Sequence, residues 1–436
     1  MSRASLVADL RTHIDQLSGQ IDAQKQRLRD LEQQRSDTRS RLNAILDPMA
    51  HLPLELQSQI FLCVVWTSHK PRVDPNDTPM ILLNVCHLWR VIALSTPRLW
   101  AAICMDSYPR KANTVGYNQL CKSWLQRARN LPLSLGLDGC LKFRANVQAL
   151  VTEYQDRLQS LTLNVDSILG IQIRMPGPLP ALRSLTIRSD NTLYLDSDDE
   201  ANLLDVLQAS PGVSRFSMFN LFRKYDVEYL DRPPLTLPHL EDLRFGDPSP
   251  AMDANSASLL QYLCLPALKN LSLSALSIPD EELVSFLARS SPPLESLSVV
   301  ALDVLWPTPL VDQCLRLIPT LTSLTLSAVF AGGINDLFHS FFEILGSPNL
   351  LPQLRRITLW ASRRTKINYE ELLSMLRTRR TTPLGSFELI FVPDFGIAES
   401  PSVSYAHPDT EVKAALRQLV TDGIRIHVGP AGDNLL

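Results

Sequence analysis

The stretch Pro266-Ala267-Leu268-Lys269-Asn270-Leu271-Ser272-Leu273 decides the fold, because it returns with few changes along most of the chain. Pro180-Ala181-Leu182…Leu185-Thr186-Ile187 precedes it, and Pro319-Thr320-Leu321…Leu324-Thr325-Leu326 and Pro352-Gln353-Leu354…Ile357-Thr358-Leu359 follow. The first apolar positions, at 158, 182, 213, 240, 268, 294, 321 and 354, recur every 24 to 33 residues. Each copy ends in a period of two, the mark of a short strand with alternate side chains turned inward. Proline cannot continue a helix and presets extended backbone, so it is expected two residues before each strand. That placement accounts for 31 Pro against 16 Gly. Amphipathic stretches with polar starts, at 280–287, 335–345, 368–376 and 409–420, separate the strands. Strand, helix, strand at this spacing predicts short parallel strands on a concave face with helices outside. Residues 132–137 and 423–428 read as further strands at the two ends.

The L-x-x-L-x-L spacing and the period resemble leucine-rich repeats. The copies are degenerate: Leu221, Leu276, Leu302 and Val329 stand where many such repeats carry Asn or Cys. The expected fold class is α/β: a long N-terminal helix, a small helical unit, and a solenoid of parallel strands and outer helices. The expected boundaries are 1–47, 48–105, a joining segment 106–156 with the first strand and helix of the array, and 157–430.

Ahead of the array, apolar residues alternate in steps of three and four: Val7, Leu10, Ile14, Leu17, Ile21, Leu28, Leu31, Leu42 and Ile45. Gln24, Arg35 and Thr38 interrupt the same register. A sustained period of 3.5 predicts a coiled-coil seam, closed at Asp47-Pro48 because the residue before proline leaves the helical region. Residues 7–45 therefore suit pairing with a second copy of the chain, or packing back on the chain itself.

Residues 51–104 read His51-Leu52-Pro53-Leu54-Glu55-Leu56-Gln57-Ser58-Gln59-Ile60-Phe61, then Asn84-Val85-Cys86-His87-Leu88-Trp89-Arg90, and close on Ser95-Thr96-Pro97-Arg98-Leu99-Trp100. Leu52, Leu56, Ile60 and Phe61 are expected on one helical face, with core the first reading for Leu56 and Val85. Thr78-Pro79 is expected to cap a second helix. A polar insertion, Thr67 to Thr78, with prolines at 71 and 75, separates the two and is expected on the surface.

This segment resembles an F-box, in the version common in mushroom-forming fungi, where a charged coiled coil precedes the box. The resemblance implies a helical module docking on the Skp-type adaptor of a cullin–RING ubiquitin ligase, with Leu52, Pro53, Ile60, Phe61, Val85, Cys86, Trp89, Leu99 and Trp100 at positions shared between core and adaptor interface. It implies a receptor that holds a protein substrate on the repeats and carries no catalytic residues, in the cytoplasm or nucleus. A second reading keeps the array as a non-ligase interaction scaffold capped by the box.

Composition points the same way. The 42 Lys+Arg against 45 Asp+Glu give a net charge of −3, which offers no global attraction to nucleic acid or an anionic membrane. Seven scattered Cys without a C-x-x-C pair read as thiols of a reducing compartment. The first residues contain no apolar signal core, and the uncharged run 317–335 carries Pro319 and strand chemistry, so no membrane span is expected. Asp394-Phe395-Gly396 lacks the companion motifs of a kinase, and no phosphate loop, nucleophile elbow or clustered histidine motif occurs, so neither cofactor nor metal is expected. Asp196 to Glu200 reads as a solvated helix start. Arg355, Arg356, Arg363, Arg364, Lys366, Arg377, Arg379 and Arg380 concentrate positive charge. They read as a solvated outer face or as a patch for acidic substrate, with Arg356, Arg363 and Arg364 the candidate contacts.

Overall fold

The computed structural model describes residues 3–66, 71–72, 77–106, 114–138, 145–165, 177–223, 231–246, 256–275, 280–301, 308–328, 337–362, 365–392 and 408–436. The chain divides into two compact units, Met1–Ile103 with Ser123–Leu131, and Cys104–Lys122 with Pro132–Leu436.

The first unit contains α1 (Arg3–Leu46), α2 (Leu54–Trp66), α3 (Leu82–Val85) and α4 (His87–Ser95), with 3-10 turns at Pro48–His51 and Pro97–Trp100. Helix α1 covers the whole heptad stretch and ends at Asp47-Pro48, where Asp47 caps the first 3-10 turn through Met49 N–H. The expected second helix is two. Cys86 adopts extended backbone (φ −156°, ψ 172°), and its sulfur accepts from Trp89 N–H to start α4 afresh. Thr78-Pro79 does not cap a helix: it lies in a turn in which Leu82 N–H donates to Pro79, and Ile81 occupies the cap position of α3. The core of this unit is aromatic. Phe61 and Trp89 rings meet at 5.0 Å, and Trp100 meets Trp124 edge-on at 5.0 Å. Trp124 belongs to residues 123–131, inside the segment expected to join the two regions; it is fully buried and donates to the Ala102 carbonyl.

After the first helices the chain runs β1 (Ala102–Asp106), α5 (Thr114–Arg127), β2 (Leu133–Asp138), α6 (Ala145–Tyr154), β3 (Leu158–Val165), β4 (Ser184–Leu195), α7 (Ser197–Gln208), β5 (Arg215–Arg223), β6 (Leu235–Thr236) and β7 (Asp242–Phe245). It continues with β8 (Leu263–Cys264), β9 (Asn270–Ala275), α8 (Asp280–Ser290), β10 (Ser296–Ala301), α9 (Thr308–Arg316) and β11 (Ser323–Ala328). The last elements are α10 (Leu337–Leu345), β12 (Arg356–Ser362), α11 (Tyr369–Arg379), β13 (Ser386–Val392), α12 (Thr410–Thr421) and β14 (Arg425–Pro430). Twelve strands form one sheet in chain order, β6 and β8 making a separate pair, and every pairing described from β2 to β14 is parallel.

The sheet is held by one turn used over and over. Leu182, Val213, Leu240, Leu268, Leu321 and Leu354, each two residues after its proline, are almost wholly buried, and each N–H closes a four-residue turn. The strand starts two residues later still. Proline thus stands four residues before the strands at 184, 215, 242, 270, 296, 323 and 356, not the two expected, because the leading leucine anchors the turn and not the strand. One carbonyl then accepts two consecutive N–H groups from the following turn: Ser214 serves Glu241 and Asp242, Glu241 serves Lys269 and Asn270, and Lys269 serves Glu295 and Ser296. This pattern satisfies the backbone where parallel pairing begins. On the buried face, Leu271 and Leu273 align with Leu297 and Val299, then Leu324 and Leu326, then Ile357 and Leu359.

Helices between strands begin as their sequences dictate. Asn368 caps α11 and Asp409 caps α12. Asp196 and Asp199 form a reciprocal capping box on α7. The acidic start of α7 is not solvated as expected: Asp199 and Glu200 are buried as the helix packs down.

Candidate functional site

Large exposed apolar side chains are concentrated in the first unit. Among the described residues, all of them except Leu120 and Val420 lie on α1 or on α2 to α4 and the turn before α3. Soluble surfaces scatter such residues singly, so a concentration marks an interaction surface. On α2, Leu56, Ile60 and Val64 repeat every four residues and make one exposed row, with Leu54 beside its start. Val85, Val91 and Leu94 add exposed apolar area on α3 and α4. These residues are 40–53% exposed, which decides between core and surface.

The candidate adaptor residues separate accordingly. Pro53, Ile60 and Val85 are exposed, and Leu52, Cys86 and Trp89 are half-buried. Phe61, Leu99 and Trp100 are buried within their unit at 1%, 1% and 0% exposure, so they support the surface and do not form it. The expectation that Leu56, Ile60 and Phe61 share one face, and that Leu56 and Val85 are core, is corrected: a helix turns 100° per residue, and burying Gln57 and Phe61 turns Leu56 and Ile60 outward. The inserted loop lies mostly outside the described residues.

Two polar groups fix this surface from beneath. The Trp89 indole N–H donates to Asp47 Oδ2 at 2.7 Å, tying α4 to the end of α1. Buried Gln57 donates from Nε2 to the carbonyls of Met49 and Leu52 at 2.6 and 2.7 Å, fixing the 3-10 turn on α2. Neither role is readable locally, because the partners are up to 42 residues apart.

In the second unit the face of the sheet opposite the buried leucines forms registered rows, most of their members half-buried or buried. Thr162 aligns with Thr186, and Ser272, Ser298, Thr325 and Thr358 align with one another. At the last three strands Arg356, Ser386 and Arg425 form one row, Thr358, Glu388 and His427 the next, and Trp360, Ile390 and Gly429 a third. Arg356 and Arg425 are exposed, and Thr358 Oγ1 donates to Glu388 at 3.3 Å. Arg425, Glu388 and Trp360 were not among the candidate site residues. Their signal in the sequence is the i, i+2, i+4 alternation around Leu359, Leu389 and Val428.

The positive cluster is not one patch. Arg363 and Arg364 lie outside the described residues. Arg379 is fully buried and donates to the carbonyls of Leu345, Ser347, Leu350 and Leu351 at 2.6–3.1 Å. Burial pushes its guanidinium below the ordinary arginine value. Arg289 does the same for Leu260 and Leu263. Arg380 pairs with Asp422 at 3.3 Å.

No group of His, Cys, Asp and Glu able to hold a metal occurs among the described residues, and no described helix is long and apolar enough to cross a membrane. The chain matches no protein-family model, and no curated protein matches it significantly.

Proposed function

We propose that this chain is the substrate-recognition subunit of a Skp–cullin–RING ubiquitin ligase, with an F-box in the first unit and a leucine-rich-repeat solenoid in the second. The observation that carries this reading is the apolar row Leu56, Ile60 and Val64, exposed on a unit whose aromatic core is built from Phe61, Trp89, Trp100 and Trp124. An adaptor helix laid along that row would cover area that is exposed in the free chain. The recurrent proline–leucine turn and the in-order parallel strands support the repeat reading, and the registered polar rows supply a face for a protein substrate. Ubiquitin transfer would fall to other subunits.

Co-purification with the Skp adaptor of the same organism tests this. Wild type is expected to recover it, and Leu56→Asp/Ile60→Asp is expected to lose it while keeping its melting temperature, since both side chains are exposed. Failure of the wild type to recover the adaptor would overturn the ligase reading and leave the interaction scaffold.

A further inference from the structure

Helix α1 is 44 residues long, and every described side chain from Leu10 to Leu42 is exposed. At about 1.5 Å per residue it extends roughly 66 Å. A helix with no packed side draws little stability from propensity alone, and this one carries Gly19 in its interior. Its apolar residues nevertheless fall on a single stripe. Ile14, Ile21 and Leu28 take the a positions and Leu10, Leu17 and Leu31 the d positions, all 43–60% exposed.

We propose that the occupant of this stripe is α1 of a second copy of the chain, in a parallel, in-register two-stranded coiled coil. The seam chemistry of the first heptads selects the number of strands: Ile14 and Ile21 at a with Leu10 and Leu17 at d, β-branched at a and leucine at d, favour two. The flanking charges select the direction. In a parallel pair each g residue faces the e residue five positions later on the other helix. Arg27 then meets Glu32, Gln20 meets Lys25 and Gln34 meets Arg39, one attractive contact on each side and no like charges among these three flanking pairs; the like-charge layer of the seam is Arg35 against its own copy. An antiparallel pair with the same overlap sets Arg11 against Arg39, Lys25 against Lys25 and Arg27 against Arg27. It also sets Gln24 against Leu28, Arg35 against Leu17 and Thr38 against Ile14, spoiling three apolar contacts that the parallel register leaves intact. The polar layers penalise antiparallel alignments and shifted registers, the role a single buried polar layer plays in coiled coils. Pairing of α1 is independent of adaptor binding, and it would present two sheet faces from one assembly, raising the avidity for any partner with two epitopes.

Light scattering on the full chain reads the mass. Wild type is expected at twice the chain mass at micromolar concentration, and Ile14→Asp/Ile21→Asp at the chain mass with unchanged strand signal in circular dichroism. A monomeric wild type, or a variant that stays dimeric, overturns pairing through this seam. Direction is read in a Cys63→Ser/Cys140→Ser background, which removes the exposed thiol among the described cysteines and the cysteine that lies outside the described residues. Leu10→Cys is expected to form a disulfide dimer by itself on mild oxidation. Cross-linking only when Leu10→Cys is mixed with Leu42→Cys overturns the parallel direction. Register is read by charge: Glu32→Arg is expected to weaken dimerisation about tenfold, and Arg27→Glu/Glu32→Arg to restore it. Residues five apart do not face each other on one helix, so absence of rescue overturns the register.

Discussion

Arg379 illustrates how a charged residue can serve the fold alone. Its guanidinium is the shared donor for four carbonyls at the end of α10 and in the turn before β12, of which those of Ser347 and Leu351 also accept from Leu350 and Leu354 N–H. Arg379→Ala is expected to cost about 3 kcal/mol, read as a lowered denaturation midpoint, and Arg379→Lys to restore little of it because an ammonium lacks the planar fork. Cysteines divide in the same residue-by-residue way. Burial pushes the Cys121 thiol up to about 11 from 9.0, whereas Cys63 is exposed. A thiol reagent at pH 8 is expected to label Cys63 at once and Cys121 only after denaturant is added, as mass spectrometry would show. Because the folded-state value is the higher one, this thiol's contribution to stability is whole below about pH 9 and falls as pH rises from there through 11. A melting temperature that rises between pH 9 and 11 would contradict the assignment of Cys121 as buried and neutral.

At the scale of elements, one turn explains the sheet and one helical rotation explains the surface of the first unit. Leu268→Ala or Leu354→Ala is expected to cost 2–5 kcal/mol, the usual penalty for a cavity at a fully buried leucine. By contrast Ile60→Asp on α2 should move the denaturation midpoint by no more than about 0.5 kcal/mol. If the two substitutions were equally damaging, the inside and outside faces of these elements would be wrongly assigned. The recurring strands and the helices α8, α10, α11 and α12 between them were legible from the sequence, since period two and period 3.6 are local signals, whereas β1, α5 and the break between α3 and α4 were not read. Sidedness in the first unit was not: Leu56, Ile60 and Phe61 have similar chemistry, and only the packing of Phe61 against Trp89 and the bonds of Gln57 to the Met49 and Leu52 carbonyls fix which way the helix turns.

For the molecule as a whole, the free edge of a twelve-stranded sheet is a liability, because unpaired strand groups invite pairing with other chains. Residues after β14 answer this. Leu435 N–H donates to the Val428 carbonyl at 2.8 Å, Asn434 bonds Val428 N–H and the Ile426 carbonyl, and Gly429 (φ +154°) leaves room for the Asp433 carbonyl that a Cβ would strike. Removal of residues 431–436, or Gly429→Ala, is expected to raise aggregation on heating, measured by scattering, with little change in near-ultraviolet dichroism. An unchanged scattering profile would mean the edge is protected otherwise. The sequence alone determined the α/β alternation, the long heptad helix and the order of the parts, because each is written in local periodicity. The tertiary structure alone decided that Arg379 faces inward, that Trp124 joins the first unit, and that Arg356, Glu388 and Arg425 share one face of the sheet. Those outcomes depend on which distant backbone and ring groups meet, and no local pattern encodes such meetings.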